Sequence, residues 1–153
     1  MTAERIKKLI EQGEGIDVEF KESYTQLPNN IYETICAFHN RKGGHILLGI
    51  SKDEKTIIGV KKTTINDQLS NLSNALNNPQ ILNPTTYLSP EVIEVDGKSV
   101  IYIYVPEGSQ AYSHKDIYFN RNEDGDYKLA NKQLIAELYT RKQSLHLVKN
   151  GAF

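Results

Sequence analysis

The chain has 153 residues and a formal net charge of −1, enough length for one globular domain with a real core and too little positive charge for a tight non-specific DNA binder. Any basic surface must therefore be local. Its one cysteine, Cys36, excludes an internal disulfide and a cysteine-rich metal site. No signal-peptide core or bilayer-length apolar run is present, so a cytoplasmic protein is expected, with no membrane partner.

Ile6, Leu9 and Ile10 recur at helical spacing, and Gly13 stands where that helix would end. Ile16, Val18 and Phe20 then alternate with Asp17, Glu19 and Lys21, the pattern of a half-buried strand. Asn30 followed by Glu33 resembles a capping box opening a second helix. Ile31, Ile35 and Phe38 would face inward, and Gly43-Gly44 would stop the helix. Residues 46–50 are apolar on both faces and predict a central strand. Residues 56–60 return after a polar turn and predict its hairpin partner. Thr64 and Asp67 open a third helix with Leu69, Leu72 and Leu76 inward. Glu91–Val95 and Lys98–Val105 flank Asp96-Gly97, the strongest hairpin signal in the chain. Residues 117–120 predict another strand, and Leu134, Ile135 and Leu138 a last helix. This order predicts an α+β fold, a mixed, largely antiparallel sheet flanked by helices. Residues 1–141 form the expected domain. Residues 142–153, where Leu145, Leu147 and Val148 have no clear terminator after them, are expected to be a linker or the start of a further C-terminal region.

Strand alternation puts Asp17, Glu19 and Lys21 on one face, with Glu14 just before the strand. Carboxylates gathered at one point can hold Mg²⁺ or Mn²⁺, and a neighbouring lysine suits a phosphate oxygen. That is the minimal kit for metal-assisted phosphodiester cleavage. A solvated strand face has the same spacing, and by spacing alone it is the commoner case. Gly43-Gly44 admits two readings, a plain helix stop or a close backbone approach to phosphate aided by Arg41 and Lys42. Tyr102 and Tyr104 share a strand face that could stack bases or simply cover the sheet. His39 and His45 lack the further ligands of a zinc shell, the serines sit in no nucleophile elbow, and Cys36 reads as a small buried hydrophobe. No phosphate-binding loop or dinucleotide fingerprint occurs, so no ATPase activity is expected.

Several elements together resemble the Schlafen-type, AlbA-like domain family. They are Glu19-Phe20-Lys21, Ala37-Phe38-His39-Asn40 with Gly43-Gly44, Gly49-Ile50, the acidic turn at Asp53-Glu54, and Ile57-Ile58-Gly59-Val60. Val105-Pro106 with Ser109, and Tyr118-Phe119-Asn120-Arg121 before Ala130, are similar to the family's later landmarks, so the resemblance runs from about Ile6 to Tyr139. It implies DNA binding at the N-terminus of bacterial regulators that carry a C-terminal helix-turn-helix, a group formerly labelled RecG-related helicases or divergent AAA proteins. Animal Schlafen relatives include RNA-cleaving enzymes with a three-carboxylate site. Glu14 and Glu19 match two of those acids, while the third column falls on Lys52, with Asp53 one position later. This chain also has Tyr112 where many relatives place proline.

The expected function is nucleic-acid binding, to DNA or RNA, within a bacterial-type transcriptional regulator. Lys21, Arg41, Lys42, Lys61, Lys62 and Arg121 are the expected phosphate contacts, which position a protein without reading sequence. Two other readings stay open. One is a metal-dependent ribonuclease using Glu14, Glu19 and Asp53 with Mg²⁺ or Mn²⁺; outside it no cofactor is expected. The other is an interaction module whose sheet edge pairs with another chain, a homodimer included.

Overall fold

The computed structural model describes residues 1–53 and 55–149, with side chains as far as Ser144. In chain order the elements are α1 (Ala3–Gln12), β1 (Val18–Lys21), α2 (Ile31–Asn40), β2 (Gly44–Leu48), α3 (Ile65–Leu76), β3 (Leu82–Asn83), β4 (Glu91–Val95), β5 (Lys98–Val105), β6 (Ser113–His114), β7 (Phe119–Asn122), β8 (Gly125–Lys128) and α4 (Lys132–Lys149). The main sheet has the order β1-β2-β5-β4. Strands β1 and β2 are parallel, with α2 as their crossover, and the other pairings are antiparallel. Two short ribbons, β3-β6 and β7-β8, complete the α+β fold.

Both faces of the sheet are covered, which explains the continuous apolar runs of β2 and β5. On one face Val18, Phe20, Leu47, Val100 and Tyr102 pack with Ile6 and Ile10 of α1. On the other, Ile46, Leu48, Ile101, Ile103 and Val105 pack with Ile31, Ile35 and Phe38 of α2 and with Leu72 and Leu76 of α3. Each fully buried aliphatic side chain contributes about 1.5–3 kcal/mol. The β1–β2 register sets Glu19 beside Ile46 and Lys21 beside Leu48. Glu19 and Lys21 therefore point into the α2 layer. All of β1 is buried, where a half-buried strand was expected.

The Asp96-Gly97 hairpin forms as predicted, with both turn residues at positive φ (50° and 79°). The hairpin expected at 56–60 does not form. Among the described residues the pairing is limited to an isolated bridge between Ile50 and Ile57, with Ser51 N–H bonded to Thr56 O. Gly49 and Gly59 both take positive φ, and the N–H groups of Ile58 and Gly59 converge on the Gly49 carbonyl. The chain curls there, and Val60 N–H goes instead to Ser99 O of β5. Asn30 does precede α2, but its side chain makes no capping bond; Oδ1 accepts from Lys21 Nζ at 2.9 Å. In α3, Ile65, Gln68, Leu72, Ala75 and Leu76 are buried and Leu69 only half-buried. Strand β7 starts later than expected, and β8 is an addition. Helix α4 continues past residue 141 to Lys149; the side chains of Leu145, Leu147 and Val148, together with Glu54 and residues 150–153, lie outside the described set. Among the described residues, no helix is long and apolar enough to cross a membrane.

Candidate functional site

Residues from distant parts of the chain meet around Glu19. Arg121 of β7 is 2 % exposed, and all three of its side-chain nitrogens are engaged. One terminal nitrogen donates to Glu19 Oε2 at 2.8 Å and to Gly15 O at 2.7 Å, and the other to Asp126 Oδ1 at 2.8 Å. Its Nε reaches the carbonyls of Gly15 and Ile16, and its plane lies over the Phe38 ring at 4.7 Å. The other oxygen of Glu19 takes Lys52 Nζ at 2.7 Å, with Lys21 Nζ at 3.6 Å. Lys52 Nζ also lies 3.8 Å from Glu14 Oε2, which accepts the Phe20 N–H at 3.0 Å. Thr34 of α2 donates to Asp126 Oδ2 at 2.5 Å and so ties the ribbon to the helix. An open cleft of about 270 Å³ lies over this network, lined also by Asn30, Glu33, Glu123 and Asp124.

The electrostatics follow from burial set against pairing. Burial alone would raise the Glu19 carboxyl, but hydrogen bonds from Lys52 and Arg121 outweigh it and hold the group at about 2. Glu14 is raised, first by burial and further by the Glu19 charge, against the opposing Phe20 N–H bond. Burial lowers Lys21, partly offset by Glu19. Lys52 is raised, because its attraction to Glu19 and Glu14 exceeds its desolvation.

A divalent ion does not fit this donor set. Both Glu19 oxygens are engaged by cations, and one oxygen of Glu14 by a backbone N–H. Asp53 is exposed on the turn and does not line the cleft. Among the described residues, no group of three or more His, Cys, Asp or Glu is placed to hold a metal. His39 and His45 do not meet: His39 Nδ1 pairs with Pro106 O at 2.8 Å, and His45 Nδ1 with Tyr102 Oη at 2.7 Å. Cys36 is buried, and that burial pushes its thiol up to about 12.

The basic residues do not share one surface. Lys21 and Arg121 are internal partners of Glu19. Arg41 and Lys42 lie where α2 turns into β2, half-buried and exposed respectively. Lys61 and Lys62 are exposed beyond the other end of β2, a strand length of roughly 16 Å away. Lys62 pairs loosely with Glu94 at 3.6 Å. Sequence reasoning missed Arg141, exposed on α4, whose guanidinium donates to Asn40 O at 2.6 Å at the end of α2. It also missed Lys142, buried beneath, which donates to His39 O at 2.7 Å and Gly108 O at 2.8 Å. Asp126 was missed as well, although Asp124-Gly125 ahead of it is a recognisable turn signal. The glycine pair serves packing. Gly43 has φ +79°, and a Cβ there would sit 2.5 Å from Val105 O; one at Gly44 would sit 2.4 Å from the Phe38 ring.

Fold and site together define an α+β domain in which a parallel β-α-β unit encloses a carboxylate–arginine network under an acidic cleft. The family model described as Schlafen, AlbA_2 matches residues 14–131, and the chain belongs to that family. It is 37% identical over 67 residues to an uncharacterized ATP-binding protein of Ureaplasma parvum, a match covering 42% of this chain and 19% of that protein. The chain thus corresponds to about a fifth of that relative's length. Among solved structures, the N-terminal domain of a DNA helicase RecG-related protein from Nitrosomonas europaea superposes with TM-score 0.53 at 22% identity, over 70% of this chain and 74% of that one. The DIP2311 protein from Corynebacterium diphtheriae superposes with TM-score 0.65 at 16% identity, over 93% and 32%.

Proposed function

We propose that this domain binds nucleic acid by its phosphate backbone, at the corner of the fold where α2 turns into β2. The observation that carries this reading is the grouping of Arg41, Lys42 and Arg141 around the end of α2. The cleft over Glu19 is a poor alternative for a polyanion, because Glu33, Glu123 and Asp124 line its mouth. Tyr104, 50% exposed, stands one residue before the Val105 carbonyl on which Gly43 packs, and offers a ring to a base. Family membership and the RecG-related neighbour add support. DNA is the ligand we expect, and an N-terminal position in a bacterial-type transcriptional regulator with a further C-terminal domain is the setting. With a net charge of −1, affinity should be weak, about micromolar or poorer, and steeply salt-dependent.

Fluorescence anisotropy with labelled DNA and RNA in rising salt tests this. Binding at low salt should be abolished by Arg41→Glu with Lys42→Glu, and little changed by Lys61→Glu with Lys62→Glu. Absence of binding to both polymers at the lowest ionic strength overturns the reading. A second reading then gains. Among the described residues strand β4 pairs only with β5, and it exposes Val92 at 43%, so its outer edge could pair with another chain, a second copy included. A concentration-dependent mass in light scattering would support it.

A further inference from the structure

The misfit between this carboxylate pair and a divalent ion has a specific cause. We propose that Lys52 is the site's resident cation: its ammonium stands where a dication would bridge Glu14 and Glu19, and the residue at position 52 decides whether the pair takes up a metal ion. The ammonium lies 2.7 Å from Glu19 Oε1 and 3.8 Å from Glu14 Oε2, so one positive centre serves both carboxylates. Its delivery is built into the backbone. The N–H groups of Gly49 and Ile50 both bond Lys21 O at the end of β1, and Ser51 N–H bonds Thr56 O. These bonds fix the chain immediately before residue 52 against the end of β1, beside the pair.

Charge balance points the same way. Glu14, Glu19 and Asp126 are matched by Lys21, Lys52 and Arg121, three carboxylates against three cations. An aspartate at 52 would leave the network at minus two, which one dication cancels, and would supply the third hard oxygen ligand. The Lys52 side chain is 46% exposed, and the cleft of about 270 Å³ beside it has room for the water ligands that Mg²⁺ and Mn²⁺ retain.

The test is a set of thermal melts in EDTA and in millimolar Mn²⁺ for the wild type, Glu19→Gln, Lys52→Asp, Lys52→Arg, and Lys52→Asp combined with Glu19→Gln. Lys52→Asp should melt lower than the wild type in EDTA. It should gain about 4 °C or more with Mn²⁺, as a site filled to roughly ten times its Kd requires in a chain of this size. Wild type and Lys52→Arg should not respond, and the added Glu19→Gln should remove the gain. A Mn²⁺ response of the wild type that Glu19→Gln abolishes overturns the proposal. So does a Lys52→Asp protein indifferent to Mn²⁺, or one unfolded with and without it, since the site then cannot exchange its ammonium for a metal ion.

Discussion

Glu19 holds a core position as an ion, and a buried ion is stable only while its partners remain. Its depressed carboxyl, at about 2 against an ordinary 4.5, fixes the sign of the pH effect. Its contribution is fully present above about 4.5 and is lost as pH falls through about 2. Glu14, raised, acts in the opposite direction and blunts the effect. Acid unfolding of Glu19→Gln should therefore be flatter across that window than the wild type's, as stability measured by urea titration at a series of pH values would register. Arg121→Met should cost about 3–5 kcal/mol in the same assay, since it strips a buried carboxylate of its partner. Arg121→Lys should rescue little, because an ammonium cannot span Glu19, Asp126 and the loop carbonyls at once. With Lys52 between the carboxylates, no Mg²⁺- or Mn²⁺-dependent cleavage of structured RNA or single-stranded DNA is expected; cleavage that disappears in Glu19→Gln would contradict this. Alternation puts Glu19 and Lys21 on one strand face with Asp17, and Glu14 just before it, but by spacing alone a solvated face is the commoner reading. That Arg121 serves them, and not a phosphate, was illegible, because the decisive variable is burial, and a lone arginine after a short strand says nothing of what covers it.

Helix α2 links the charged network to the basic corner. Its first turn meets Lys21 through Asn30 and Asp126 through Thr34, and its last carbonyls accept from Arg141 and Lys142. Cations at that end also suit the helix dipole. The turn into β2 has no spare room. Gly44→Ala should cost about 1–3 kcal/mol by driving a methyl group into the Phe38 ring. Leu47→Asp should unfold the domain, because Leu47 is fully buried on an interior strand and an unpaired charge there costs several kcal/mol. A cooperatively melting, soluble Leu47→Asp protein would contradict the assigned sheet order. Elements with a local cause were legible: the Asp96-Gly97 hairpin and the apolar runs of β2 and β5 depend on neighbours in sequence, whereas α2 ends at Asn40 with Arg41 as its cap, ahead of the glycine pair. Residues 56–60 misled because their apolar pattern suits a strand, while the positive φ of Gly49 and Gly59 bends the chain away from pairing. Asn30 has the residue type of a cap, but Lys21 at the end of β1 takes its side chain instead.

Across the whole molecule, a net charge of −1 conceals a division. One side carries the acidic mouth formed by Glu33, Glu123 and Asp124, and the corner at the start of β2 carries Arg41, Lys42 and Arg141. Polyanions should be turned from the first and drawn to the second, within the roughly 10 Å reach of charge at 0.1 M salt. The fold class was legible from element order, whereas this division depends on α4 returning to α2, a long-range contact without a local signal. The most direct test is a ¹H–¹⁵N titration of the domain with a short DNA oligonucleotide at low salt. Shift changes should concentrate at residues 41–45, 104–108 and 141, and fade as salt is added. Changes centred instead on Gly15, Asn30 and residues 124–126, or none at any residue, would contradict the assignment of the basic corner as the nucleic-acid surface.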